Sequence, residues 1–307
     1  MNLEQLQSFV TVAQLGHFTR AAEQLRLTQP SLSRQIAALE SDLGVELFHR
    51  ARGGSTITSA GESLLPLARR MLSDAESVRR ELAELAGLQR GRVRLGATPT
   101  LCISLVAEVL STFHTAHPEI ELHVSEKGSL RLLDELAAGE LDLALITTTD
   151  VGSADRFDLT PLLVEEVVVI SSASTPPITT RGTIGLADVA ALPQILFSST
   201  YDLRSATDAA FSAAGLDPNV VLEGAEMDAV LRFVERGLGV AIVPAMVLVD
   251  RPGLRSVRLA GSTLNRTISL ARPVGATPSV ATQVMERTIS ATARDFASRA
   301  GETMSLV

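Results

Sequence analysis

The sequence predicts a multidomain chain: an all-α head, one long helix, and an α/β region built as two subdomains. Three patterns carry that expectation. Residues 19–50 hold two apolar helical stripes around a turn, residues 64–85 hold a heptad seam, and from Val93 onward strands alternate with helices.

In the head, Leu3, Leu6, Phe9, Val10 and Ala13 mark a first helix, and Ala21, Ala22 and Leu25 a second. Thr28 stands where an N-cap belongs and Pro30 falls in the first helical turn, both favoured at a helix start. Leu32, Ile36, Leu39 and Leu43 then step by four, three and four, one buried stripe of a third helix. Ser31, Ser33, Arg34 and Gln35 lie off that stripe. Hydroxyl, amide and guanidinium groups at a helix start fit a DNA major groove, where Arg and Gln read base edges and hydroxyls hold phosphates. Thr28, Gln29, Pro30, Ser31, Ser33 and Arg34 are therefore the expected DNA-reading set. The basic loop Arg50-Ala51-Arg52-Gly53-Gly54 reads as a wing whose Arg50 and Arg52 touch the backbone or minor groove.

Ser59 and Glu62 have capping-box spacing, and Leu64, Ala68, Met71, Ala75, Val78, Leu82 and Leu85 follow at alternating steps of four and three. With no neighbouring helix in the sequence to pack on, this seam is expected to pair with a second copy of the chain. Gly87 and Gly91 end the helix.

Strands are expected at Val93–Ala97, Ile120–Val124, Leu141–Ile146, Val164–Ile170, Ile195–Phe197, Val220–Glu223, Val240–Val243 and Thr267–Ala271. Helices are expected at Leu105–Phe113, Leu130–Ala138, Ala187–Ala191, Ala206–Ala214, Val230–Val234 and Val280–Phe296. This order implies two parallel sheets. Ligands of such sheets bind beyond the carboxyl ends of strands. Those points hold Thr98-Pro99-Thr100, Ser129, Thr147-Thr148-Thr149 and Ser198-Ser199-Thr200-Tyr201, hydroxyl clusters suited to a small anion or organic acid. Arg131 and Arg204 lie close enough in sequence to add positive charge, and Leu101, Leu203 and Met227 would cover a ligand's apolar part.

Composition sets limits. The net charge is −8, yet residues 1–92 carry 11 Arg against 10 acidic residues, so the acid belongs to the C-terminal region. Long-range attraction to DNA is then weak, and Arg20, Arg26, Arg34, Arg50 and Arg52 must act locally. The single cysteine, Cys102, excludes a disulfide framework and reads as a small buried apolar residue. No leader or membrane-spanning run is seen, which implies a cytoplasmic protein. None of the five His lies in the hydroxyl clusters, His114 and His117 read as surface, and no nucleophile elbow, phosphate loop or Cys-x-x-Cys occurs. Neither an enzyme, a metal site nor a cofactor is expected.

The segment resembles the N-terminal domain of LysR-type transcriptional regulators. The residues that carry the resemblance are Phe18-Thr19-Arg20-Ala21-Ala22-Glu23, Leu25, Gln29-Pro30-Ser31-Leu32-Ser33, Leu39-Glu40, Leu43-Gly44, Leu47-Phe48-His49-Arg50 and Thr58-Ser59-Ala60-Gly61. His17 departs from the pattern, where the family more often has Ser; little consequence is expected. Gly237-Leu238-Gly239 through Pro244 resembles a further turn of the family.

The resemblance implies a winged helix-turn-helix at 1–58, a dimerising linker helix at 59–88 and a hinge at 89–91. It also implies a periplasmic-binding-protein-like effector domain, with subdomain I at 92–161 and 268–300 and subdomain II at 162–267. It places effector contacts at Thr98, Pro99, Thr100, Ser129, Thr147, Thr200 and Tyr201 and adds Met227. The implied partners are double-stranded promoter DNA, a small-molecule effector, a homodimer assembling to a homotetramer, and RNA polymerase. The alternatives are an architectural DNA-binding protein without ligand control, or an α/β enzyme fused to a DNA-binding domain.

Overall fold

A computed structural model describes residues 1–51, 54–85, 91–148, 156–199, 201–261, 264–275 and 277–307. By contacts the chain divides into two compact units, Met1–Gly91 with Asp134–Leu141, and Arg92–Leu133 with Asp142–Val307.

The N-terminal unit contains α1 (Leu3–Leu15), α2 (Phe18–Gln24), α3 (Gln29–Leu43), the antiparallel hairpin β1 (Phe48–Ala51) and β2 (Gly54–Ile57), and α4 (Ser59–Leu85). Phe9, Ala21, Leu32, Ile36, Leu39 and Leu47 close its core. Leu43, expected in the buried stripe, is exposed, because α3 ends there in a left-handed Gly44. Glu40 explains why a carboxylate suits its position: its Oε1 accepts the backbone N–H groups of Leu47 (2.8 Å) and Phe48 (3.4 Å), fixing the entry to the hairpin.

The turn between α2 and α3 is closed by two backbone bonds, Leu27 N–H to Ala22 O and Arg26 N–H to Glu23 O, the double pattern of a Schellman cap. Arg26 itself sits at φ 56°, a left-handed position that glycine usually fills. His17 is the N-cap of α2 without a side-chain cap bond, and its Nδ1 is buried without a partner. The departure from Ser therefore costs α2 its cap.

Helix α4 differs from expectation at its start. Its cap is Thr58 rather than Ser59: Thr58 Oγ1 accepts from Gly61 N–H at 3.1 Å and donates to Glu46 O. Gly61 is required there, since a Cβ would lie 2.5 Å from Ile57 Cγ1 and 2.6 Å from Leu47 O. The seam also divides. Leu64 and Ala68 turn inward onto the head's own core, and α4 packs on α1, the neighbour the seam reading did not supply. Met71, Val78 and Leu82 are exposed, and Leu67, outside the expected set, joins them at 55%. Ala75 is half-buried, and the side chain of Leu85 lies outside the described residues, as do hinge positions 89 and 90.

From Arg92 onward the chain forms β3 (Arg92–Ala97), α5 (Pro99–Leu101), a π turn (Cys102–Val106), α6 (Ala107–Ala116), β4 (Glu121–Glu126), α7 (Ser129–Ala137, whose second half counts with the N-terminal unit), β5 (Leu143–Thr148), β6 (Phe157–Glu165) and β7 (Val167–Ser172). There follow β8 (Thr183–Ile184), α8 (Leu186–Ala191), β9 (Gln194–Phe197), α9 (Asp202–Ala213), β10 (Val220–Ala225), α10 (Met227–Glu235) and β11 (Ala241–Pro244). A 3-10 turn (Ala245–Leu248), β12 (Leu254–Leu259), β13 (Arg266–Pro273), α11 (Val280–Ala300) and β14 (Met304–Leu306) complete it.

The sheets are mixed, not parallel. The first runs β14-β6-β13-β5-β3-β4, with β3 parallel to β4 and β5 but β13 antiparallel to β5 and β6. The second runs β11-β7-β12-β8, with the parallel pair β10-β9 joined to it by a bridge from Gln194 to Val240. Strand β7 is antiparallel to β11 and β12. The reason is that the expected strand Val164–Ile170 is two strands. The chain leaves the first sheet at Glu165 and enters the second at Val167, then returns between Leu259 and Arg266, so β7 runs against the second sheet and β13 and β14 against the first. Strands β8, β12 and β14 were not legible, being short or rich in exposed polar residues. Each sheet has its own apolar core, one around Leu95, Leu145, Phe113 and Met285, the other around Val169, Ile195, Val230 and Val243. These two cores define a first and a second lobe.

Candidate functional site

In the head, the polar start of α3 is preorganised. Thr28 caps it, its Oγ1 accepting from Ser31 N–H at 3.3 Å, with Pro30 in the first turn. Gln29 Nε2 donates to Ser33 Oγ at 3.1 Å, and Arg34 bonds Pro30 O at 3.3 Å and Ser31 Oγ at 3.5 Å. Thr28, Gln29, Pro30 and Arg34 are exposed, Ser31 and Ser33 half-buried. Gln35 is a correction: its Oε1 accepts from the buried Ser8 hydroxyl of α1, so it faces the core side. Arg50 lies on β1 with its side chain outside the described residues, and Arg52 lies outside them altogether.

In the first lobe, register brings the expected ligand residues to one sheet edge. Ala97 pairs with Glu126 and with Leu145, so the carboxyl ends of β3, β4 and β5 lie side by side. Thr98, Thr100 and Ser129 follow those ends, and Thr147 is the last residue but one of β5, which ends at Thr148 rather than at the expected Ile146. Thr98 and Thr100 are buried with their hydroxyls 3.4 Å apart. Ser129 Oγ lies 3.3 Å from Thr147 Oγ1, donates to Thr147 O, and accepts Thr147 N–H at 3.2 Å.

Thr98 makes no side-chain cap bond, and α5 is a single turn that passes into the π turn, where Ser104 leaves helical geometry and donates to Thr100 O at 2.6 Å. Such π turns recur at functional sites. Sequence reasoning missed Arg266, whose Nη2 donates to Thr100 Oγ1 at 3.0 Å. Arg266 is far from Thr100 in sequence, and only the return strand β13 brings them together.

In the second lobe, β9 and β10 end at the paired residues Phe197 and Ala225, and Tyr201 and Met227 follow. Tyr201 stacks on Phe197 with centroids 5.3 Å apart, donates to the Glu226 carboxylate, and its hydroxyl receives Met227 N–H at 3.4 Å. Burial, then the bond to Glu226, raises its pKa, with further contributions from the charges of Glu226 and Glu126. Thr200 lies outside the described residues.

Glu126 ends β4 in the first lobe, and its charge acts on Tyr201 of the second lobe and on Cys102 of the first. Cys102 is half-buried rather than buried; burial and then Glu126 push its thiol up to about 12.

Four side chains expected near the ligand are engaged within their own lobes. Arg204 is tied to Asp208 (2.8 Å), Glu223 (2.9 Å) and Phe197 O (2.9 Å), so its charge is spent within the second lobe. Leu101 belongs to the first core and Leu203 and Met227 to the second, each buried where it packs its own lobe.

Residues 3–62 match the family model described as bacterial regulatory helix-turn-helix protein, lysR family, and residues 86–294 match the LysR substrate binding domain. The chain is 32% identical over 271 residues to the uncharacterized HTH-type transcriptional regulator YybE of Bacillus subtilis, covering 88% of this chain and 92% of that one. It is 34% identical over 262 residues to a probable nitrogen assimilation transcriptional activator of Synechocystis, 84% of each.

Among solved structures, a full-length OxyR variant from Pseudomonas aeruginosa matches with a TM-score of 0.69 at 27% identity, over 94% of this chain and 98% of that one. Full-length CbnR in complex with its target DNA matches with a TM-score of 0.64 at 25% identity, over 97% and 100%. The relatives are named as transcriptional regulators, not enzymes. No helix among the described residues is long and apolar enough to cross a membrane. The chain belongs to the LysR family of DNA-binding transcriptional regulators, with an N-terminal helix-turn-helix domain and an α/β substrate-binding domain.

Proposed function

We propose that this regulator reads promoter DNA through Thr28, Gln29, Ser31, Ser33 and Arg34 of α3, with Arg50 and Arg52 of the wing, and answers to a small organic acid or anion. The effector sits between the two lobes, against Thr98, Thr100, Ser129 and Thr147 on one side and Thr200 and Tyr201 on the other. The first lobe comprises the strands before Glu165 and after Arg266, the second those between. Ligand binding favours one lobe arrangement over another and so alters how paired head domains meet DNA.

The observation that carries the effector class is a count of hydrogens. Thr100 accepts from Arg266, so its own proton is left for Thr98 or for a ligand. The single proton of Ser129 goes to Thr147 O, so the Thr147 hydroxyl is the donor of their mutual contact, and a ligand acceptor competes with Ser129 for that proton. A corner that presents donors selects an acceptor, and an anion accepts most strongly. Redox sensing is disfavoured, although hydrogen peroxide-inducible activators are among the relatives at 26% identity. One cysteine forms no internal disulfide, and a thiol with a pKa of about 12 is almost wholly protonated at neutral pH.

The exposed stripe of Met71, Val78 and Leu82 with Leu67 supports a homodimer through α4, two of which assemble into a tetramer. The effector reading is tested by thermal shift of the full chain with matched acids and amides, such as benzoate against benzamide and succinate against succinamide. Acids raise the melting temperature and their amides do not, and Ser129→Ala or Thr147→Val weakens the best acid by about 0.5–1.5 kcal/mol. Acid hits that ignore both substitutions place the effector elsewhere.

A further inference from the structure

The chain passes between the lobes at two crossings, and two charge pairs join one crossing to the other. At the outward crossing Glu165 ends β6 and is 0% exposed; at the return Arg266 opens β13. Their Nε–Oε1 distance is 2.6 Å. Beside them Arg258, near the end of β12, pairs with Glu166 between β6 and β7.

The second oxygen of Glu165 accepts the N–H of Met246 at 3.0 Å. Met246 belongs to the 3-10 turn that follows β11 of the second lobe, yet its side chain is buried in the core of the first. Ile103 reaches the other way, from the π turn of the first lobe onto the core of the second. The lobes are thus pinned here, and the buried carboxylate stands at the pin.

We propose that Glu165 is a positioning residue of the effector response, which fixes the angle between the lobes and ties it to the ligand-binding hydroxyls. Three hydrogen bonds form the tie: Arg266 to Thr100, Arg266 to Glu165, and Met246 to Glu165. A buried ion pair gives little net stability over an apolar replacement, so what this one adds is a defined geometry. Any rotation that carries Met246 away from β6 breaks a bond to the carboxylate, and any shift of Thr100 pulls on the guanidinium that holds it. Packed interfaces of this kind switch between discrete arrangements rather than deform smoothly. The inference rests on the proposed effector role of Thr100 only for its link to ligand; the pin itself is read without any ligand.

The test is a spin-label distance measurement on the full chain, with Cys102→Ser and labels at Leu130→Cys in the first lobe and Val221→Cys in the second, both exposed. The labelled chain should give one narrow distance. Glu165→Leu with Arg266→Met, which removes both charges, should broaden the distribution or shift its maximum by more than about 2 Å. Glu165→Asp keeps the charge but draws the carboxylate back from Met246, and should shift it in the same direction, which guards against a double variant that does not fold. A lowered melting temperature with the parental distance in the Asp variant would mean that Glu165 serves only stability, and would overturn the proposal. If the distance shifts while acid binding ignores Ser129→Ala, the pin stands and the effector reading falls.

Discussion

The head and the first lobe use the same side-chain chemistry, small hydroxyls beside one arginine, but assemble it in opposite ways. In the head, Thr28 to Arg34 are consecutive residues of one helix start, and their mutual bonds span three or four positions. In the first lobe, Thr100, Ser129, Thr147 and Arg266 arrive from four separate segments, and Thr100 meets Arg266 and Ser129 meets Thr147 only because β3, β4, β5 and β13 share a sheet. A local site tolerates change in the rest of the domain; a convergent site depends on the buried framework behind it.

That difference predicts unequal costs. Arg266→Met strands Glu165 as an uncompensated buried charge and should destabilise the C-terminal unit by about 3–5 kcal/mol in urea unfolding, most of which Glu165→Leu restores. If the single variant is as stable as the parent, the convergent site does not depend on its buried partner. In the head the adjustments are smaller and run the other way. Arg26→Gly relieves a left-handed arginine between two intact cap bonds and should stabilise the head by about 1 kcal/mol. His17→Ser supplies the missing cap of α2 and should add about 0.5 kcal/mol. Denaturant titration of the isolated transition of the head reads both; a loss of stability from either would mean that these side chains make contacts that matter more than backbone and cap.

The same contrast explains what was legible in the sequence. Spacing and cap residues located α3, its exposed polar start and the long helix, because those signals are local. The four strand-end hydroxyls were also legible, since the alternation of strands and helices marks where strands stop. Arg266 was not, because nothing near it in sequence signals Thr100 or Glu165. The mixed sheets escaped for a related reason: Glu165-Glu166-Val167 lies inside an apolar run, and the change of sheet at Glu166 leaves no break in periodicity. The inward turn of Leu64 and Ala68 was hidden because a heptad does not say whether its partner is another copy or α1. Gln35 reads as a surface amide until the buried Ser8 is seen opposite.

If the Thr28–Arg34 segment carries the DNA preference, that preference is transferable. Grafting this chain's Thr28–Arg34 onto the corresponding stretch of the Bacillus subtilis relative, followed by selection from random duplexes at fixed salt, tests it directly. The chimera should select the sequence preferred by this chain, and adding Arg34→Ala to it should cost about 1–3 kcal/mol of specific binding. A chimera that still selects the host's sequence would contradict the claim.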